Sequence, residues 1–416
     1  MALNIFRGDA QDIPQIETLT LDGGLAGNTD TVSIRINLKE VSYTCAGTEA
    51  NATEIAEAFV SILSESEIAE FREMEWEVGA AAGTIIATSA TDGNDFTLTP
   101  LVNGSASVDF TTTTTQSAKG SEWWSDPDNW SLSAVPVNSD DVYIPPMSTN
   151  IRHGLNQSAV TLGTLTISAG YTGTIGLPIR NESYYEYRAT RLAINAANLV
   201  VGQDVQGTLT GGSGRIRLNL GSTTCAIQVY NTGTKIDPGY PALDIIGTGS
   251  NTLSLQRGSV GFAMIAGEVA TVVTSRVGSL DSGSNAELSF GAGCTLTTLN
   301  MLGGKVNAYA SIATVNMAGG TIVANAAAAF TTITAEGGTL DYRSSGTITT
   351  LTLRNDAKVT FENDVRARTL TNTTINGGCE IHDHFKTVTF TNPISINCSI
   401  QSIVLDLGSG MSLQRS

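Results

Sequence analysis

The feature that most constrains this chain is a short unit that repeats from about Gly291 towards the C-terminus. Each of five copies contains an alternating apolar and polar run, a two-residue turn and a second, shorter alternating run. Alternation sends one set of side chains inward and the other set to solvent. The first runs of the five copies begin at Leu296, Ile312, Phe330, Ile348 and Leu370.

The turns within these copies recur at short and nearly constant intervals. Gly-Gly or its Asn-Asp substitute returns after 16, 18, 18 and 22 residues, and both dipeptides accept positive φ in a tight turn. The five turns are Gly303-Gly304, Gly319-Gly320, Gly337-Gly338, Asn355-Asp356 and Gly377-Gly378.

A unit of this length cannot bury its own apolar face, so neighbouring units must stack into a solenoid. A period built only from strands and turns predicts one coil of a single-stranded parallel β-helix. A leucine-rich repeat would need a helix or a fixed Asn ladder, and the copies contain neither. Parallel crossovers are right-handed, so the expected fold is a right-handed parallel β-helix over residues 160–416.

The chain before the solenoid predicts a different organisation. We expect an extended N-terminal arm at 1–15 and a small α+β domain at 16–112. A linker and tryptophan-rich β-helix cap should follow at 113–159. The whole protein is therefore predicted to be mostly β.

Within the small domain, the runs at 31–37 and 41–45 predict a hairpin. Asn51 and Glu54 form a capping-box pattern that predicts the start of a helix. One face of that helix should be apolar, and its members are Ile55, Phe59, Ile62 and Leu63.

Three of the four tryptophans lie within eight positions, at Trp123, Trp124 and Trp130. A solenoid needs an atypical terminal unit over its first open coil, so these indoles are predicted to cap the apolar end. Carbohydrate stacking is the alternative role. The cap is favoured because tryptophan clusters more often form core than ligand platforms.

A second aromatic cluster interrupts the early repeats at Tyr184, Tyr185, Tyr187 and Arg188. Protein interfaces are enriched in aromatic residues and arginine. This insertion therefore predicts a subunit contact, with a glycan-binding surface as the alternative. With the three tryptophans it makes up the candidate contact surface of the protein.

Charge and cysteine content exclude several function classes. The formal net charge of −17 argues against a nucleic-acid surface, which needs clustered Lys and Arg. No apolar run is long enough to span a membrane, and the N-terminus has no signal-peptide pattern. The cysteines, which have no metal-binding spacing, are expected to be buried and reduced: Cys45, Cys225, Cys294, Cys379 and Cys398.

Enzymatic β-helix proteins that cleave glycosides need two carboxylates facing one cleft. Residues 288–335 contain no Asp, Glu or His, and Lys305 is their only charge. Elsewhere the acidic pairs Glu336/Asp341 and Glu362/Asp364 are expected to be solvated. His382 and His384 share one side of a strand, but the sequence supplies no third zinc ligand. We therefore expect no catalytic residues, metal or cofactor.

Several stretches resemble a group of tailed-phage virion proteins, and the resemblance covers most of the chain. Related β-helix proteins on virions serve as head decorations, head spikes or tail spikes, so the resemblance implies a location on the virion. The matching stretches are 5–10, 31–37, 52–58, 126–131, 135–142, 154–162 and 184–188.

The resulting expectation is a non-enzymatic bacteriophage structural protein assembled in the host cytoplasm. A capsid decoration or head spike is favoured over a tail spike, because the regular coils lack the carboxylates that depolymerisation needs. Expected partners are the major capsid protein, other virion proteins and further copies of this chain, with a trimer as one option. The alternative is a tail spike or fibre that binds or depolymerises host glycans; a host-cell adhesin is disfavoured without a signal peptide.

Overall fold

The computed structural model shows a mostly β protein, with 50% of residues in strands and 6% in helices. Among the residues that it describes, no helix is long and apolar enough to cross a membrane. The described residues are 2–23, 30–104, 108–181, 184–186, 188–203, 211–236, 240–278, 285–325 and 328–408.

The first part of the chain forms a short strand and then a small α+β unit. Its elements are β1 (Leu3–Ile5), β2 (Ile16–Gly23), β3 (Thr31–Ile36), β4 (Lys39–Thr44), α1 (Ala52–Ser64), α2 (Ala69–Arg72), β5 (Met74–Val78), β6 (Thr84–Ser89), β7 (Leu98–Asn103) and β8 (Val108–Gln116). Two antiparallel sheets result, with strand orders β5-β6-β2-β8 and β4-β3-β7. The predicted hairpin corresponds to β3 and β4.

Helix α1 begins where the capping pattern predicted. The Asn51 side chain accepts hydrogen bonds from the backbone N–H groups of Thr53 and Glu54. Ile55, Phe59 and Leu63 are buried as expected, but Ile62 is 40% exposed. The prediction for Ile62 was wrong because Ala56, not Ile62, completes the buried face.

The second part of the chain is built almost entirely from short strands. It also contains two 3₁₀ turns, at Pro127–Asn129 and Ile400–Ser402. The strands are β9 (Asp141–Ile144), β10 (Asn156–Ile167), β11 (Arg180–Asn181), β12 (Tyr184–Tyr185), β13 (Leu192–Val201), β14 (Ile216–Asn219), β15 (Ala226–Val229), β16 (Leu243–Leu255), β17 (Gly258–Phe262), β18 (Ala270–Val277), β19 (Ala286–Phe290), β20 (Cys294–Met301), β21 (Lys305–Ala308), β22 (Ile312–Met317), β23 (Thr321–Ala324), β24 (Phe330–Ala335), β25 (Thr339–Tyr342), β26 (Ile348–Leu353), β27 (Ala357–Thr360), β28 (Arg368–Ile375), β29 (Cys379–His382), β30 (Val388–Phe390), β31 (Ser395–Ile396) and β32 (Ile403–Asp406).

β11 and β12 pair with each other as a short antiparallel hairpin, and the other strands pair in parallel as two ladders that run side by side. In the regular part the first ladder is β18-β20-β22-β24-β26-β28, and the second is β17-β19-β21-β23-β25-β27-β29-β32. The chain alternates between the ladders, so one strand from each makes up a coil. This long parallel-strand arrangement is consistent with a β-helix.

The register confirms the repeat read from the sequence. The five predicted starting residues are consecutive partners along the first ladder, from Leu296 through Ile312, Phe330 and Ile348 to Leu370. All five side chains are buried, and each contributes roughly 1.5–3 kcal/mol by leaving water. A uniform inward column therefore holds the coils in one register.

Four of the five turns between the two ladders take the positive-φ conformation that their residues predicted. The second glycine of three pairs has φ between +82° and +87°, and both Asn355 and Asp356 have positive φ. Neither Gly377 nor Gly378 has a positive φ, so the prediction was wrong for the last turn. A Cβ at Gly320 would lie 2.5 Å from Met301 Cε and 2.6 Å from Gly304 O. Glycine is required there by both the backbone angle and the close approach of the preceding coil.

The structure places the ends of the solenoid differently from the expected boundaries. Parallel pairing begins at β9, before residue 160, and β9 also pairs with β1 from the N-terminal arm. Strand β8 runs to Gln116 within the small unit, beyond residue 112. The threonine-rich end of β8 belongs to the first sheet, since its backbone pairs with β2. β8 is the last strand in the order of that sheet and is therefore an edge strand.

Two hydrophobic cores lie in these two parts of the molecule. One extends along the coils from Phe6 to Leu407, and the other contains the buried residues of the α+β unit from Leu19 to Phe110. Four of the five cysteines are buried, and Cys398 is half-buried. Burial raises the pKa of the Cys225 and Cys294 thiols to about 12, which leaves them unreactive at neutral pH.

Candidate functional site

The structure places two of the three clustered tryptophans in the core of the solenoid. Trp124 and Trp130 are fully buried, and their rings meet edge to face at 4.8 Å. Phe6 of the N-terminal arm packs on Trp130 with ring centroids 5.2 Å apart. The prediction that these two indoles belong to a contact surface is corrected, because neither is accessible; they close the first coil.

Trp123 lies at the junction between the α+β unit and the solenoid. Its Nε1–H donates to the carbonyl oxygen of Gly93 at 2.6 Å, and its ring stacks on His153 at 5.1 Å. His153 Nδ1 in turn lies 2.8 Å from a carboxylate oxygen of Asp95. Trp123 is half-buried, and its contacts with Gly93 and His153 connect the two parts of the molecule.

The tyrosine-rich insertion contributes to the same junction. The Tyr184 hydroxyl donates to Glu73 Oε1 at 2.8 Å. Arg188 donates to both carboxylate oxygens of Glu186 at 2.8 Å and to the carbonyl oxygen of Asp95 at 3.1 Å. These contacts tie the insertion to the α+β unit within one chain, a role that the sequence did not indicate. Tyr187 lies outside the described residues.

Electrostatics at this junction favour the charged forms. Burial would raise the pKa of Asp95, but its hydrogen bond with His153 and the nearby charges of His153 and Arg188 outweigh burial and lower it. Burial likewise opposes ionisation of Glu186, and the contact with Arg188 overcomes it, so the Glu186 pKa is also lowered. The carboxylates of Asp95 and Glu186 are thus ionised at neutral pH.

Tyr185 is the one described member of the insertion that faces solvent, with 66% of its surface exposed. It lies at the edge of a cavity of about 690 Å³ on the early coils. No Asp or Glu appears among the described residues that line this cavity. Its charged and aromatic lining residues are Arg152, Arg180, Arg215, Arg217, Tyr185 and Tyr240.

A buried ion network lies behind the cavity. Asp244 is fully buried, and its Oδ2 accepts from Arg191 Nη2 at 2.5 Å and from Arg217 Nε at 3.5 Å. Arg191 also contacts Glu268 at 2.7 Å. Arg217 donates to the carbonyl oxygen of Leu177 at 2.8 Å. The network fixes Arg217 at the cavity wall with its charge compensated from inside.

The outward positions of the first ladder form a second distinctive surface, which we name the threonine face. It spans β20, β22, β24, β26 and β28, and no charged residue occupies it. Two of its columns are in register, Thr298-Thr314-Thr332-Thr350-Asn372 and Asn300-Asn316-Thr334-Thr352-Thr374. At about 4.8 Å per strand, the five strands extend about 19 Å along the solenoid.

Three of the four residues in the acidic pairs contact arginines: Asp341 lies 2.6 Å from Arg343, Glu336 lies 3.7 Å from Arg354 and Asp364 lies 2.8 Å from Arg366. Glu362 and Asp364 both follow β27, which ends at Thr360. The hydrogen bonds from Arg366 lower the pKa of Asp364 to about 2, so this carboxyl cannot serve as a proton donor near neutral pH.

The structure brings two carboxylates close to one of the two histidines. One ligand atom from each of Glu362, His382 and Asp406 lies within 4.8 Å of the others, since His382 and Asp406 are partners across β29 and β32. His382 Nε2 already hydrogen-bonds with Glu380 at 2.9 Å. His384 is not a member of this group, but its Nδ1 lies 3.5 Å from Oδ2 of Asp406. Both carboxylates of the group are exposed, so it carries no metal assignment.

No protein-family model matches this chain, and no curated protein matches it either. The resemblance to tailed-phage virion proteins therefore stays a prediction, and the functional argument depends on the geometry of the threonine face, the junction and the cavity.

Sequence reasoning missed the arginine-lined cavity. Its arginines lie in the least regular coils, and Arg152 and Arg217 are 65 residues apart in sequence. The available signal was local: Arg215 and Arg217 alternate with Ile216 and Leu218, in a chain with only 22 basic residues. Arg217 lies in β14 and Arg215 immediately precedes that strand.

Proposed function

We propose that this protein is a non-enzymatic structural component of a tailed-phage virion, most favourably a capsid decoration or head spike. Its partners would be the major capsid protein and other virion proteins. Assembly in the host cytoplasm and a final location on the particle follow from that role. The resemblance of the stretches at 5–10, 126–131 and 135–142 supports this proposal.

The threonine face is the observation that carries the proposal. A regular surface without charge can be covered by a partner without the cost of desolvating unpaired ions. Its Thr and Asn side chains offer hydrogen-bonding groups at strand spacing, as in the contact from Asn316 Nδ2 to Asn300 Oδ1 at 2.9 Å. Such a surface suits attachment over area, which decoration of a shell requires.

The finer architecture belongs to the same proposal. The two parallel ladders would wind as a right-handed single-stranded β-helix, because parallel crossovers are almost always right-handed. Several copies would associate, with a trimer as one arrangement, since closed symmetric assemblies are the common form of oligomer. The braced α+β unit would then contact the particle at a fixed angle to the solenoid.

Antibody labelling of purified particles tests the location. Gold label on the outside of the head is the expected result. Label on the tail would replace the decoration role by a spike or fibre, and particles without label would refute a virion location.

A binding assay then tests the threonine face. Thr331→Arg with Thr349→Arg places two charges on this face, and we expect at least tenfold weaker binding to particles that lack the protein. The matched control is Thr321→Arg with Thr339→Arg on the outward side of β23 and β25, which should leave binding within twofold. Equal losses for both pairs would contradict a role for the threonine face.

A tail spike or fibre that binds or depolymerises host glycans is the second candidate. The arginine-lined cavity with exposed Tyr185 favours binding. A polysaccharide depolymerisation assay separates turnover from binding. Activity that is lost in Glu362→Ala or Asp364→Ala would support the enzyme and overturn the non-enzymatic proposal.

A further inference from the structure

We propose that the arginine-lined cavity is a binding site for a carboxylated glycan. This inference goes beyond the structural role proposed above and holds for a head or a tail location alike. It depends on the charge of the cavity, the state of one buried arginine and the shape of the rim.

The charge of the cavity is opposite to that of the molecule. The chain has a formal net charge of −17, yet four of its 22 basic residues line one cavity of about 690 Å³. Arginine is the side chain that recognises carboxylates through paired hydrogen bonds. Clefts lined by one sign of charge raise the local concentration of the opposite ion, so this cavity selects anions despite the acidic surface around it.

Arg215 is the strongest single indication that this cavity receives an anion. It is 5% exposed and forms no ion pair with any carboxylate among the described residues. Its Nη1 donates to the carbonyl oxygens of Tyr171 and Gly173 at 3.2 and 2.8 Å, but its buried Nε has no hydrogen-bond partner in the described chain. A buried guanidinium without a carboxylate partner is costly, and an anion in the cavity would compensate the charge of Arg215.

Arg180 supplies a second charge at the rim. It is exposed and has no ion pair with a described residue, whereas Arg152 contacts Glu122 at 3.6 Å and Arg217 contacts Asp244. Within the described part of the chain, Arg180 is thus the arginine of the lining that is both exposed and without a carboxylate partner. Its strand also pairs with Tyr185, which places the two side chains on one short hairpin at the cavity edge.

The remaining lining favours a sugar over a simple ion. Tyr185 and Tyr240 offer aromatic rings for the apolar face of a sugar, and Thr172 and Thr174 add hydroxyl groups. A volume of about 690 Å³ lies within the range of pockets that hold organic ligands, and far exceeds the size of sulfate. The shared chemistry is a carboxylate on a polyhydroxylated ring, as in uronic acids.

Calorimetric titration of the full chain tests the proposal with three probes: a uronic acid oligosaccharide, a neutral oligosaccharide of the same length and sodium sulfate. We expect saturable binding of the uronic acid probe alone, weakening as NaCl is raised. Equal binding of the neutral probe would refute the role of charge. Equal binding of sulfate would reduce the site to a general oxyanion site, and no binding of any probe would refute it entirely.

Variants at exposed positions avoid the structural part of the site. Arg180→Ala should weaken binding about tenfold, the loss expected for one charge-assisted hydrogen bond. Tyr185→Ala should weaken it about fivefold. Arg257→Ala removes an exposed arginine elsewhere on the coils and should leave binding within twofold. If Arg257→Ala weakens binding as much as Arg180→Ala, the effect is general charge and the proposed site is wrong.

Discussion

The early coils at residues 192–255 and the late coils at residues 294–335 share one set of ladders but use their outward positions differently. The early coils bury Arg215, Arg217 and Asp244, and Arg191 is buried immediately before them. The late coils contain a single charge, Lys305, and present an uninterrupted polar face.

The difference shows that stacking of the coils restricts the residue types at inward positions more than those at outward positions. In both regions Leu, Ile and Val side chains fill the same core, as the partnership of Ile227 with Leu253 and of Leu299 with Val315 illustrates. The outward positions and connections are less restricted. The early region borders an arginine-lined cavity, and the late region presents an uncharged face of Thr and Asn side chains.

The largest expected effect comes from the buried charge of the early coils. Asp244→Asn removes the carboxylate that Arg191 and Arg217 share, and should lower the free energy of unfolding by about 3–5 kcal/mol. Urea unfolding followed by circular dichroism measures the change. Lys305→Ala removes the one charge of the late coils and, being exposed, should cost less than about 0.5 kcal/mol. Similar losses for both variants would erase the contrast between the regions.

The next effect tests how closely the late coils approach each other. Gly320→Ala places a methyl group against Met301 and Gly304 at a φ of +87°, and should destabilise the protein by about 2 kcal/mol. The melting temperature and the urea midpoint should fall together.

Asp356→Gly, in the equivalent position of another turn, is the matched control for Gly320→Ala. Asp356 already adopts a φ of +62° in the equivalent position, so the change should alter stability by less than about 1 kcal/mol. A stable Gly320→Ala protein would show that the coils separate more easily than their spacing implies.

The smallest expected effect is a loss of local stability at low pH, which should be seen at the junction before the late coils. Asp95 and Glu186 have pKa values below their ordinary 3.8 and 4.5, so their contribution is complete above those values and is lost as pH falls through the lowered pKa. Hydrogen exchange at pH 3 should therefore increase first around the junction. An equal increase in hydrogen exchange in the late coils at the same pH would contradict this prediction.

The sequence predicted the late coils almost residue for residue because their information is local. Each copy carries its own alternation and turn, so the partners of Phe330 follow from spacing alone. The capping residue Asn51 was predictable for the same reason.

The junction and the cavity could not be predicted, because they depend on contacts between distant segments. Arg188 lies 93 residues from Asp95, and Trp123 lies 30 residues from Gly93. Aromatic and charged composition indicated that the insertion at 184–188 contacts something. It did not reveal that Tyr184 and Arg188 contact the same chain while Tyr185 faces solvent.

The pairing of β1 with β9 has a consequence for how the protein is made. Residues 3–5 leave the ribosome well before their partners at 141–143 are synthesised. The first coil thus stays open, with Trp130 uncovered by Phe6, until residues 141–143 have emerged. Nascent chains arrested before that point should bind chaperones that recognise exposed aromatic groups, and longer ones should release them.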